Sequence, residues 1–145
     1  MAEGQQFCTF FLDNHYFGIE VEKVQEVLRF QDMTYVPLAP EVVRGLINLR
    51  GQIVTAIDTR RRLDLPPRPK DQLPMNVIIR ANDGAMSLLV DEIGDVLDIN
   101  EETFEEVPDT VQGLSRELLR GVYKLEGRLL LILNTEKAID LSALN

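Results

Sequence analysis

Arg44-Gly45-Leu46-Ile47-Asn48-Leu49-Arg50-Gly51-Gln52-Ile53, running on to Thr59, returns 76 positions later as Arg120-Gly121-Val122-Tyr123-Lys124-Leu125-Glu126-Gly127-Arg128-Leu129, running on to Thr135. Arg44/Arg120, Gly45/Gly121, Leu49/Leu125, Gly51/Gly127 and Thr59/Thr135 are identical, and most positions between them keep apolar against apolar. A second echo, 69 positions apart, aligns Gly18 to Leu28 with Ser87 to Leu97 in the same order. A self-match of this kind marks a chain built from two copies of one small unit.

The 145 residues are 45% hydrophobic and 27% charged, the make-up of a globular protein. A copy of about 65 residues alone would bury only roughly 60% of its unfolded surface. The two copies are therefore expected to share a buried interface within one domain, 1–145. Cys8 is the single cysteine, so no internal disulfide can form, and no secretion signal opens the sequence; a cytoplasmic location is the expectation. The longest apolar run, Leu129 to Leu133, is far shorter than the roughly 20 residues of a spanning helix, so no direct membrane insertion is expected.

Net charge is −9, and it is uneven: residues 1–72 hold 10 acids and 9 bases, residues 73–145 hold 14 acids and 6 bases. Nine acids and no base lie between Asp91 and Asp109. This opposes nucleic-acid binding, which depends on Lys and Arg neutralising phosphates; a solvated acidic face is the plainer reading.

Phe7 to Leu12 and Tyr16 to Ile19 flank Asp13-Asn14-His15, and Val77-Ile78-Ile79 and Met86 to Val90 flank Asn82-Asp83-Gly84. Both patterns predict β-hairpins. The spacing of Val21, Val24 and Val27-Leu28, repeated by Ile93, Val96 and Leu97, predicts a short helix after each hairpin. Pro40 opens a helical or turn segment through Val43, with Gly45 placed to end it. Gly51 and Gly127 sit between apolar runs, where hairpin turns belong. Leu65 to Pro74 holds four of the seven prolines and reads as an exposed connection. Thr135 is a candidate cap for a C-terminal helix over 135–144. Each copy then supplies about five short strands, which must curl to hide their edges. The expected fold is mainly β: two five-stranded barrels packed side by side, from residues 5–65 and 75–134, joined by 66–74.

Catalytic chemistry is poorly provided for. His15, the lone histidine, lies in a predicted turn, and a triad needs a positioned base. One Cys and one His cannot make a four-ligand zinc site. Glycine patterns that cradle phosphate are missing, and the acids between 91 and 109 lack calcium-loop spacing. Cys8 reads as a small buried apolar group. Arg60-Arg61-Arg62, the one basic cluster, reads as a solvated end. No cofactor or metal is expected, and by elimination an interaction module is favoured over an enzyme.

Tyr16 to Val27, followed by Val43 to Gly51 with Asp58 downstream, resembles the chemotaxis coupling proteins of the CheW-like adaptor family, over nearly the whole chain. The resemblance implies SH3-like barrels and a non-enzymatic role: bridging the histidine kinase CheA, through its own SH3-like regulatory domain, to the cytoplasmic hairpin of methyl-accepting chemoreceptors in membrane-associated arrays. It places receptor contact in the groove between barrels, at Val24, Glu26, Arg44, Arg50, Ile93 and Val96, and leaves the kinase contacts unassigned. Val24, Ile93 and Val96 would form an apolar floor for a helical hairpin, with Glu26 and Arg50 either contacting it or forming a plain surface ion pair. Thr55 stands where many relatives have proline and Thr59 where leucine is usual, which bears on which receptors and kinase are cognate.

Overall fold

The structure, a computed structural model, describes residues 4–82 and 84–142. Strands β1 (Gly4–Leu12) and β2 (His15–Glu20) form a hairpin whose two turn residues, Asp13 and Asn14, have φ of 46° and 68°. Two positive φ values are what a two-residue turn needs to match strand twist, and Asp and Asn tolerate them. A single 3₁₀ turn, Val21–Lys23, leads to β3 (Val24–Leu28). Strands β4 (Val43–Leu49) and β5 (Gln52–Asp58) follow, then α1 (Thr59–Arg62), whose first turn is capped by Asp58. Beyond the proline-rich connection come β6 (Met75–Ala81), β7 (Gly84–Val90) and β8 (Glu92–Asn100). A short β9 (Phe104–Glu105) precedes β10 (Leu119–Leu125), β11 (Arg128–Leu133) and α2 (Thr135–Ile139).

The fold is mainly β, in two barrel-like units. One sheet has six strands in the order β8-β1-β2-β11-β10-β9, the other five in the order β3-β6-β7-β5-β4. Neither sheet follows the expected division into 5–65 and 75–134. Hairpin β1–β2 joins strands from the second copy, through parallel pairing of β2 with β11. Hairpin β6–β7 joins strands from the first, through parallel pairing of β7 with β5. The cause is local: the corners at Val21–Lys23 and at Asp91 turn the chain out of its sheet instead of back along it, so the next strand is laid down in the other one. Residues 24–90 thus build the five-stranded sheet, inserted between the two parts of the six-stranded one. The 66–74 connection lies within the five-stranded unit, between β5 and β6.

Two expected helices are strands. Only Val21–Lys23 is helical; Val24 to Leu28 and Ile93 to Leu97 lie in β3 and β8. A β-bulge produced the misleading spacing. Val24 faces Ile79 while Glu26 faces Ile78, and Ile93 faces Phe10 while Val96 faces Cys8, so an extra residue shifts the alternation by one position. Apolar residues then recur at three-residue intervals in extended chain. Matching bulges lie at Arg44 and Arg120.

Pro40 does open a turn, its carbonyl accepting from the Val43 N–H at 2.9 Å. Gly45, however, ends no helix. It lies in β4, where an added Cβ would sit 2.7 Å from the Thr34 carbonyl oxygen; at Gly121 it would sit 2.6 Å from that of Glu105. Both glycines let a neighbouring segment cross closely. Gly51 and Gly127 occupy hairpin turns at φ 86° and 82°. Asp83 lies outside the described residues. Helix α2 stops at Ile139 because the Asp140 carboxylate accepts from both the backbone N–H (3.1 Å) and hydroxyl (2.6 Å) of Ser142, a local turn that competes with helix. Leu144, the expected helix end, lies outside the described residues.

One hydrophobic cluster serves both sheets. It gathers Phe10, Leu12, Phe17 and Ile19 from β1–β2, Ile57 and Leu88 from the five-stranded sheet, and Leu131 and Leu133 from β11. Phe10 and Phe17 stack at 5.6 Å between ring centroids. Each such side chain contributes roughly 1.5–3 kcal/mol when taken from water, so the units are fused by their core.

Candidate functional site

The β4–β5 turn is built around Arg50 and Gly51, both at positive φ (53° and 86°), between the paired residues Leu49 and Gln52. Arginine is disfavoured in that conformation. Asn48 offsets part of the strain, its side-chain oxygen accepting from the Gly51 N–H at 2.9 Å. The guanidinium so held reaches β3, where Arg50 Nη1 donates to Glu26 Oε1 at 3.3 Å and Nη2 pairs with Oε2. These hydrogen bonds hold the Glu26 carboxyl below the usual range and push Arg50 above its own. Arg50 remains exposed.

The other expected site residues divide in two. Val24 and Ile93, equivalent in the repeat, are half-buried and pack from different sheets onto the shared core. Val96 is 57% exposed on β8, as its counterpart Val27 is on β3 at 43%. Arg44 is exposed at the β4 bulge, six residues before Arg50, which places the two on the order of 20 Å apart along extended chain. Its repeat partner Arg120 pairs with the buried Glu20.

A groove of about 860 Å³ runs between the five-stranded sheet and α2, lined by Lys23, Ile53, Thr55, Met86, Glu136 and Ile139 among others. Lys23 adjoins Val24, while Met86 and Ile139 pack on the same core as Val24 and Ile93. Met86 and Ile139 were not singled out from the sequence as groove residues. Met86 sat in a predicted strand and Ile139 in a helix stripe, and neither pattern tells which elements a groove separates.

The arginine run is not a solvated end. Arg60 is buried: its Nε donates to Asp91 Oδ1 at 3.0 Å and its Nη2 to Asp91 Oδ2 at 2.5 Å. Its Nη1 donates to the Pro66 and Pro67 carbonyls at 3.0 and 3.2 Å. Arg62 donates to the carbonyls of Lys137 and Ala138 in α2. Only Arg61, paired with Glu41 at the surface, is solvated as expected. Burial alone would push the Asp91 carboxyl up; hydrogen bonds from Arg60 and the Asp13 N–H, with the charges of Arg60 and Arg68, outweigh it and hold it below its usual value. Burial pushes the Cys8 thiol up, away from the reactive thiolate. His15 is the first residue of β2 and not a turn residue; its Nδ1 lies 2.9 Å from the Asp13 carbonyl oxygen in the preceding turn.

The arrangement is that of a β scaffold offering grooves, sheet edges and a charged turn. A model of the CheW-like domain matches residues 6–143. The chain is 31% identical to a chemotaxis protein CheW of Bacillus subtilis over 94% of this chain and 88% of that protein. It is 30% identical to one of Klebsiella aerogenes, over 94% and 82%. The crystal structure of the scaffolding protein TtCheW from Thermoanaerobacter tengcongensis superposes with a TM-score of 0.84 at 26% identity, covering 100% of both chains. The chain belongs to the CheW-like family, a family of chemotaxis scaffolds and adaptors. No helix among the described residues is long and apolar enough to cross a membrane.

Proposed function

We propose that this chain is a non-enzymatic adaptor that couples a CheA-type histidine kinase to the cytoplasmic hairpin of methyl-accepting chemoreceptors, working in the cytoplasm and recruited to receptor arrays. Family membership supports the class. The observation that carries the receptor contact is Arg50: an exposed cation kept at unfavourable φ and aligned by Glu26. Strain of that kind persists where surrounding structure holds it in place, and it clusters at binding sites.

In this reading Val24 and Ile93 form the floor of the contact, Val96 extends it, and Glu26, Arg44 and Arg50 orient the receptor helices by charge. The kinase's SH3-like regulatory domain binds at a sheet edge; of the edge strands β3, β4, β8 and β9, only β9 carries none of these receptor residues. Binding of the purified chain to a receptor signalling fragment and, separately, to the kinase regulatory domain tests this. Arg50→Glu is expected to weaken the first at least tenfold and leave the second unchanged. Equal loss of both, or of neither, contradicts the assignment.

A further inference from the structure

The chain passes between its two sheets at two corners, and one of them is a single residue, Asp91, between the end of β7 at Val90 and the start of β8 at Glu92. Asp91 is bonded to both units. Its backbone N–H donates to the Phe11 carbonyl at 3.0 Å and its Oδ2 accepts from the Asp13 N–H at 2.9 Å, both in the β1–β2 hairpin of the six-stranded unit. From the five-stranded side come the two-pronged Arg60 contact and Arg68, whose Nε donates to Oδ1 at 2.9 Å. The Arg60 Nη1 bonds to Pro66 and Pro67 fasten the 66–74 connection to the same point.

We propose that Asp91 is a positioning residue that locks the angle between the two β units, so that surfaces on one unit keep a fixed relation to surfaces on the other. The proposal rests on the reading that the adaptor holds two partners at once, for which a fixed angle matters. Two guanidinium groups share one carboxylate, and Arg68 Nη2 is buried with no hydrogen-bond partner among the described residues. Removing the Asp91 charge therefore leaves two buried cations whose mutual repulsion acts on the corner itself. The other corner lacks this construction: Glu20 there pairs with Arg120 and Lys23, whose side chains are 47% and 32% exposed. Such a corner alone leaves the shared core to resist rotation between the two units.

The test needs no partner, so its failure is separate from failure of the adaptor reading. Nitroxide labels at Gln52 and Asp98, exposed on different units, are introduced in the Cys8→Ser chain, and their distance distribution is measured by pulsed electron paramagnetic resonance. Asp91→Asn is expected to broaden that distribution on the order of twofold, as release of a rigid-body rotation would, while the sheet amides keep the protection that the variant's own global stability, measured by denaturant, allows. Arg68→Gln keeps the Arg60 contact and is expected to broaden it less; if Asp91→Asn does not fold, this variant decides. An unchanged distribution, or broadening accompanied by sheet protection lost beyond what that stability allows, overturns the lock.

Discussion

Glu26 and Arg50, on β3 and on the turn after β4, meet as carboxylate and guanidinium although 24 positions separate them. The pair is exposed to solvent on the arginine side, so it contributes little to holding the fold. Its consequence is orientation: the carboxylate selects one direction for a long side chain that would otherwise sample many.

Fold and contact respond differently at Arg50. Arg50→Asn replaces a residue disfavoured at φ 53° by one that tolerates it, and an equal or higher Tm is expected. Receptor association should nevertheless fall. Thermal unfolding and binding, measured on the same sample, check the pairing of outcomes.

Gly45→Ala and Gly121→Ala should both destabilise, although both residues lie in strands where alanine ordinarily costs nothing. The new methyl meets backbone oxygen at 2.7 Å in one case and 2.6 Å in the other, so a crossing segment must move. Overpacking of this type costs about 1–3 kcal/mol. Urea unfolding measures it.

Acid should weaken the fold through Asp91. Its carboxyl is held below the usual value when folded, so its contribution is complete above the unfolded value near about 3.9 and is lost as pH falls through the lower folded value. Asp91→Asn removes that part of the pH dependence and costs about 3–5 kcal/mol at neutral pH, the penalty for breaking a buried pair. Denaturant titrations at pH 7 and in the acid range give both quantities.

Fragments 1–72 and 73–145 separate the two sequence copies, yet each sheet needs strands from both. Neither fragment alone should unfold cooperatively. Mixed in equal amounts, they are expected to recover the circular dichroism and cooperative melt of the intact chain.

Much of this architecture is legible in the sequence. Arg44/Arg120 and Gly51/Gly127 expose the duplication, and Asp13-Asn14, Gly51 and Gly127 mark turns that the structure contains. Three things could not be read. Bulges beside Gln25 and in the 93–96 segment gave strands a helical spacing, because periodicity records which residues are apolar and not the conformation that spaces them. Two similar copies offer the same pairing edges, so the exchange of hairpins depends on corners at 21–23 and 91 that resemble ordinary turns. Arg60 looked solvated because its partner is 31 positions away. Of the expected contact residues, Glu26 and Arg50 form an ion pair, whereas none of the six lines the groove shared by Met86 and Ile139, which depends on how β7 and α2 meet.

The most direct measurement is kinase autophosphorylation in a mixture of CheA and receptor signalling fragments, with and without this chain. A strong rise in rate when the chain is added, abolished by Arg50→Glu, is the expected result. An unaltered rate, with no complex containing all three proteins on sedimentation, would contradict the adaptor role.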